Sequence, residues 1–118
     1  MKLIIAGTNG MRASVELIDQ LIAHYGLDVS EIVSGTGGEI DAAAEDWSEI
    51  YLNEDPKFFD SKWSSMGVGA GSERNLKMAQ YADALLIVWD GKSSDVEELR
   101  ENMEKLRKPV YETILRCP

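Results

Sequence analysis

The sequence predicts an α/β fold: a single-domain three-layer sandwich with a mainly parallel sheet of four to five strands. Short apolar runs alternate with stretches of helical period along 118 residues. Most of those runs end in polar turns rich in glycine, as strands do when they lead into helices. The length suits one hydrophobic core rather than two, so residues 1–118 are read as a single domain. Strands separated by helices imply a parallel sheet covered on both faces.

Taken in order, Leu3–Ala6 is a buried-strand run closed by the turn Gly7-Thr8-Asn9-Gly10. From Arg12 to Tyr25 the apolar positions Val15, Ile18, Leu21, Ile22 and Tyr25 recur at helical spacing, and Gly26 stands where a helix stops. Ser30-Glu31 leads into a second strand, Ile32-Val33, which ends in Ser34-Gly35-Thr36-Gly37-Gly38. The alanine-rich stretch from Ile40 to Tyr51 reads as the next helix, broken by Asn53–Pro56. Lys57-Phe58-Phe59 fits a short edge strand, and Ser61–Ser72 has neither helical nor strand period. A loop of that length in a compact domain is usually functional or mobile.

Glu73–Tyr81 reads as a helix, and Ala84–Trp89 is the clearest buried strand of the chain. It passes through the turn Asp90-Gly91-Lys92-Ser93-Ser94 into a helix with Val96, Leu99, Met103 and Leu106 on one face. Pro109 opens the last strand, Val110–Ile114. No repeat, linker or low-complexity tract interrupts this order.

Bulk properties exclude several classes. Hydrophobic content of 44% and charged content of 28% are those of an ordinary globular protein. No apolar run approaches the roughly 20 residues a membrane helix needs, and the apolar segment before Gly7 is too short for a signal peptide. A cytoplasmic protein without membrane association is expected. The net charge of −9 argues against binding a nucleic acid polymer. It leaves room for a small phosphorylated ligand met by backbone donors and one or two basic residues. Cys117 is the one cysteine and His24 the one histidine. Neither a disulfide nor a zinc site follows, so no metal and no cofactor is predicted.

The glycine turns carry the functional expectation. A strand that turns through glycines into a helix N-terminus leaves backbone N–H groups and the positive end of the helix dipole facing one spot. Ser34–Gly38 is neither a Walker motif nor a full dinucleotide fingerprint, and glycines after a strand also serve tight turning alone. Three such turns, Gly7–Gly10, Ser34–Gly38 and Asp90–Ser94, are nevertheless expected on one sheet edge, where open α/β sheets bind ligands.

The predicted ligand contacts are therefore Gly7, Thr8, Ser34, Gly35, Thr36, Gly37, Asp41, Arg74, Asn75, Asp90, Gly91, Lys92, Ser93 and Ser94. Asp41 and Glu45, one turn apart, either stabilise the helix start or, for Asp41, accept a ribose hydroxyl. Arg74, read in the first turn of its helix, sits where the dipole disfavours a cation, which implies a phosphate or carboxylate partner such as Glu73. Lys92 fits a point charge for phosphate, though lysines in turns are usually only solvated. Trp63 and Trp89 are either core or stacking surfaces for a base. His24 reads as a partly exposed helix residue, and the charges of Glu97–Lys108 as a solvated helix face.

In this combination and order the chain resembles the SLOG superfamily, in particular its small YspA/YpsA-related branch. The likeness rests on Ile4-Ile5-Ala6-Gly7-Thr8, Ile32-Val33-Ser34-Gly35 with Ile40-Asp41, and Ala70-Gly71 with Arg74-Asn75 and Met78. It continues through Ala82-Asp83-Ala84-Leu85 and Trp89-Asp90-Gly91-Lys92-Ser93. The resemblance implies a Rossmann-like fold that binds nucleotides or nucleotide-derived ligands, some members being sensors, and homodimers or higher oligomers. The more distant Lonely guy enzymes, similar in Glu73-Arg74 and Met78-Ala79, are phosphoribohydrolases that cleave the N-glycosidic bond of nucleoside monophosphates. In a gapless register Arg74 takes their arginine position and Glu97 their glutamate position, with Ser93-Ser94 replacing Gly-Thr.

This chain departs from the small branch at Asn9, where an arginine is usual, and at Thr36-Gly37-Gly38-Glu39, where Gly-Ala-Arg-Gly is usual. It departs again at Asp95-Val96, which replaces a Gly-Thr pair. Those departures imply a less charged ligand or a low affinity. Three functions follow as expectations: a sensor or sequestering module for a nucleotide-type small molecule, a Lonely-guy-like hydrolase using Arg74 and Glu97, or a non-catalytic scaffold for another protein.

Overall fold

In a computed structural model the described residues are 1–7, 14–35, 39–59, 70–89, 91 and 94–114. Five strands form one sheet in the order β3-β2-β1-β4-β5, every neighbouring pair parallel. They are β1 (Lys2–Gly7), β2 (Glu31–Ser34), β3 (Lys57–Phe58), β4 (Ala84–Trp89) and β5 (Val110–Ile114). Among the described residues the helices are α1 (Val15–His24), α2 (Glu39–Trp47), α3 (Ala70–Tyr81) and α4 (Ser94–Lys105), with a π-helical turn, Ser48–Leu52, continuing α2. The α/β architecture and its parallel sheet are those the apolar runs predicted.

The sheet separates two cores, and strand alternation assigns side chains to them. Leu3 and Ile5 of β1, Ile32 of β2 and Leu86 and Val88 of β4 pack with Ile18 and Ile22 of α1 and Ile40, Ala44 and Trp47 of α2. Their sequence neighbours Ile4, Val33, Leu85, Ile87 and Trp89 face the other way, onto Met78 and Ala79 of α3 and Val96, Leu99 and Met103 of α4. Because β1 and β4 are covered on both faces, they read as continuous apolar runs. Leu3, Ile4, Ile5 and Ala84–Val88 are wholly buried.

Several boundaries differ from expectation, each for a local reason. Helix α1 begins at Val15, not Arg12, because Ser14 is extended and its Oγ accepts from the Leu17 N–H at 3.1 Å, an N-cap bond. Its end is as predicted. Gly26 has φ of +65°, Gly26 N donates to Ala23 O and Leu27 N to Ile22 O, a Schellman turn. Helix α2 stays α-helical only to Trp47. The π turn follows, with the Trp47 and Tyr51 rings stacked at 5.5 Å and Ser48 Oγ donating to Glu54 O at 2.8 Å.

Helix α3 begins at Ala70 rather than Glu73. Gly71 and Ser72, poor helix formers by themselves, are carried into it by the packing of its later turns. Leu106, expected on the apolar face of α4, lies beyond the helix end and is 40% exposed. A second Schellman turn, Arg107 N to Glu104 O and Lys108 N to Met103 O, turns the chain off that face.

Candidate functional site

All five strands run the same way, so their carboxyl ends share one edge, and each described helix follows a strand in the chain. The ends of β1, β2 and β4 lie side by side: Gly7 pairs with Val88, Ile4 with both Val33 and Leu85, and Ser34 with Phe58. Strands are spaced by about 4.8 Å, which sets the ends of β2 and β4 roughly 10 Å apart across β1. After β2 and β3 are laid on one side of β1, the chain crosses to the other side for β4. In open α/β sheets ligands bind outside the carboxyl edge at such a reversal.

Gly7 is fixed by its surroundings. A Cβ there would lie 2.3 Å from Val88 O and 2.5 Å from Ile40 Cγ1. Glycine lets the first turn of α2 seat directly on the end of β1, which brings the amino end of α2 to the carboxyl edge. Ile40, 2% exposed, is the residue that seats it. Asp41 follows, half-buried in the same turn.

Ser34, at the end of β2, is wholly buried, and its Oγ donates to Glu45 Oε2 at 2.6 Å. Glu45 is more than the dipole partner that its place near the helix start implies. It is the hydrogen-bond acceptor that satisfies a buried hydroxyl and ties α2 to β2.

Gly35 faces α3. The place its Cβ would occupy is 3.5 Å from Arg74 Cζ, Arg74 Nη1 and Met78 Sδ, so the guanidinium lies against the glycine. Arg74 Nη1 donates to Gly35 O at 3.4 Å, a long bond. With α3 starting at Ala70, Arg74 stands in its second turn, not its first. The Asn75 side chain accepts from it twice, Arg74 Nε and Nη2 donating to Asn75 Oδ1 at 3.3 and 2.9 Å; the side chain of Glu73, the carboxylate the sequence suggests, lies outside the described residues. Asn75, 1% exposed, donates in turn from Nδ2 to Glu98 Oε1 of α4 at 3.2 Å. Arg74, Asn75 and Glu98 thus form one chain of hydrogen bonds leading to the carboxyl end of β2.

Residue type and spacing do not distinguish Glu98 from the other charges of α4. Its neighbour Glu97 lies with Arg100, Oε1 to Nη2 at 3.1 Å, and is partly exposed. Signals for the pairing existed in part. Asn75 shares the 75, 78, 79, 82 stripe with buried Met78, Ala79 and Ala82, and a polar residue on an apolar stripe needs a partner.

Gly91 has φ of +88°, a conformation that only glycine adopts without strain, and Ser94 begins α4. Trp89 does not offer a stacking surface: it is 2% exposed and its indole N–H donates to Glu112 Oε2 at 2.6 Å. Burial and a satisfied N–H make it core. His24 lies exposed in the last turn of α1 against the Tyr25 ring. Thr8, Thr36, Gly37, Asp90, Lys92 and Ser93 lie outside the described residues, as do Asn9, Trp63 and Cys117.

Elsewhere, an open cavity of about 420 Å³ is lined by Glu49, Asn53, Glu54 and Asp55 beside the π turn, on residues none of the motifs includes. Among the described residues no three His, Cys, Asp or Glu side chains are grouped to hold a metal ion, and no helix is long and apolar enough to cross a membrane. Compared with protein-family models, with curated proteins and with solved structures, the chain matches none.

Proposed function

We propose that the chain binds a phosphate-bearing, nucleotide-type small molecule at the carboxyl edge, acting as a sensor or sequestering module. The observation that carries this reading is the Arg74 guanidinium, held by Asn75 against Gly35 at the carboxyl end of β2, one strand away from where the strand order reverses. A guanidinium presents paired donors that match two oxygens of a phosphate. The amino ends of α2 and α4 lie at the same edge and add backbone N–H donors and dipole. Ribose hydroxyls would meet Asp41. In an acidic chain such a small basic focus recruits a compact anion and not a polymer.

Isothermal titration with AMP, ADP-ribose and a cyclic dinucleotide tests the reading, with Arg74→Ala as the control variant. At least one ligand binds the native chain, and the variant loses about 10- to 100-fold in affinity, the range for a charge-assisted hydrogen bond. No heat and no thermal shift with any of them at millimolar concentration refutes it.

One observation favours a second, hydrolytic reading: a carboxylate, Glu98, belongs to the same hydrogen-bonded chain as Arg74. A carboxylate beside an anomeric carbon stabilises an oxocarbenium-like transition state or activates water, as in glycosidases. Release of free base from AMP, lost in Glu98→Gln and kept in Glu97→Gln, is the outcome that reading requires.

A further inference from the structure

Resting on that binding site, we infer that Asn75 is a positioning residue: its buried amide fixes the Arg74 guanidinium for anion recognition, and Glu98 fixes the amide. The chemistry of the three groups sets the direction of every bond. Arg74 offers only donors and the ionised carboxylate of Glu98 only acceptors, so an amide between them has one satisfied orientation. Its oxygen faces Arg74, taking Nε and Nη2 at 3.3 and 2.9 Å, and its nitrogen faces Glu98 at 3.2 Å. Two donors of one guanidinium bound to a single oxygen hold the plane of the group as well as its position. At 1% exposure Asn75 is screened from competing water, and its neighbours Met78 and Ala79 are equally buried.

The choice of amide over carboxylate matters for an anion site. Asn75 orients the guanidinium without adding negative charge beside it, and the carboxylate of Glu98 acts one residue further back. An aspartate at this position would hold the same donors but would attract the cation's charge to itself, at the expense of an incoming phosphate.

The test uses the full chain, ¹⁵N-labelled, with the ¹H–¹⁵N NOE of the Arg74 Nε–H group and calorimetric AMP affinity measured on each variant. The native chain is expected to give an Nε NOE as high as helical backbone amides. In Asn75→Leu, which keeps the volume, the Nε NOE collapses and AMP affinity falls about tenfold, as for loss of one charge-assisted bond. Asn75→Ser is the second variant should the leucine not fold, since its hydroxyl is too short to span both donors. In Asn75→Asp with Glu98→Gln the bond directions are restored, aspartate accepting and glutamine donating. There the Nε NOE recovers while AMP affinity stays low.

A rigid Arg74 Nε–H in both single variants overturns the inference, as does AMP affinity within twofold of native in a variant whose arginine has loosened. Full AMP affinity in Arg74→Ala overturns the binding-site reading instead, and the NOE series still judges the role of Asn75.

Discussion

Replacing Gly7 and Gly35 by alanine separates a glycine that the fold requires from one that it does not. At Gly7 the new methyl would sit 2.3 Å from Val88 O, 2.5 Å from Ile40 Cγ1 and 3.0 Å from Ile40 Cβ. Non-bonded carbons settle at about 3.5–4.0 Å, so Ile40 must retreat by about 1 Å. Val88 O belongs to the strand hydrogen-bonded to β1 and gives way only if the β1–β4 ladder opens at its carboxyl end. Overpacking of this kind costs about 1–3 kcal/mol, and an immovable backbone atom places Gly7 at the upper end. Alanine returns about 0.4–1 kcal/mol by restricting the unfolded chain.

The net expectation for Gly7→Ala is a loss of about 2 kcal/mol, or about 6–10 °C in Tm for a domain of this size. At Gly35 the methyl would meet Arg74 and Met78 at 3.5 Å, an ordinary contact, and stability should stay within about 0.5 kcal/mol of native. Urea unfolding followed by circular dichroism reads both, with an unchanged m-value as the condition for comparing midpoints. A native midpoint for Gly7→Ala, or an equal loss in the two variants, refutes the claim that α2 seats on β1 through Gly7.

Further outcomes follow from single contacts. Lys108 Nζ donates to Ala79 O, Gln80 O and Ala82 O at 2.7, 3.0 and 2.6 Å, closing the carboxyl end of α3, so Lys108→Met should cost about 2 kcal/mol in the same urea assay. Arg107 holds φ of +58° in the turn after α4, and Arg107→Gly should raise stability by about 0.5–1 kcal/mol, the relief of a left-handed residue less the added chain entropy. Tyr81 donates its hydroxyl to Glu31, and that bond, with burial and the carboxylate's charge, raises its pKa above 10.0. A raised acid favours the folded state below its ordinary pKa and loses that contribution as pH rises through the folded value. Native stability should therefore fall above pH 10.0 more steeply than that of Tyr81→Phe, measured as Tm against pH.

The fold was legible where composition and neighbours agree. Ala84–Trp89 and Val110–Ile114 match their strands residue for residue, because β4 is buried on both faces and a proline marks the approach to β5. Even the two-residue β3 was visible, since Lys57-Phe58 sits between helix-breaking residues. Helix starts were less so. Ser14 carried a cap signal that the apolar spacing obscured, and Gly71-Ser72 reads as loop although packing draws it into α3.

At the site, glycines and arginine announce themselves by type, and Gly7 and Gly91 are explained by a close approach and a positive φ. What the sequence withheld was pairing at a distance. Ser34 with Glu45 is 11 residues apart and Asn75 with Glu98 is 23, and each depends on how a helix lies on the sheet. A gapless register lights on Glu97, whereas the pitch of α4 turns Glu98 toward α3.

The proposed binding of a nucleotide-type ligand at the carboxyl edge around β1 and β2 is decided by titrating the ¹⁵N-labelled chain with AMP. Backbone amide shifts should concentrate at Gly7, Gly35, Ile40 and Asp41, together with the Arg74 Nε–H, and saturate on a single isotherm. Shifts gathered instead at the opposite edge, around Lys2, Asp83 and Lys108, or none at millimolar AMP, would contradict it.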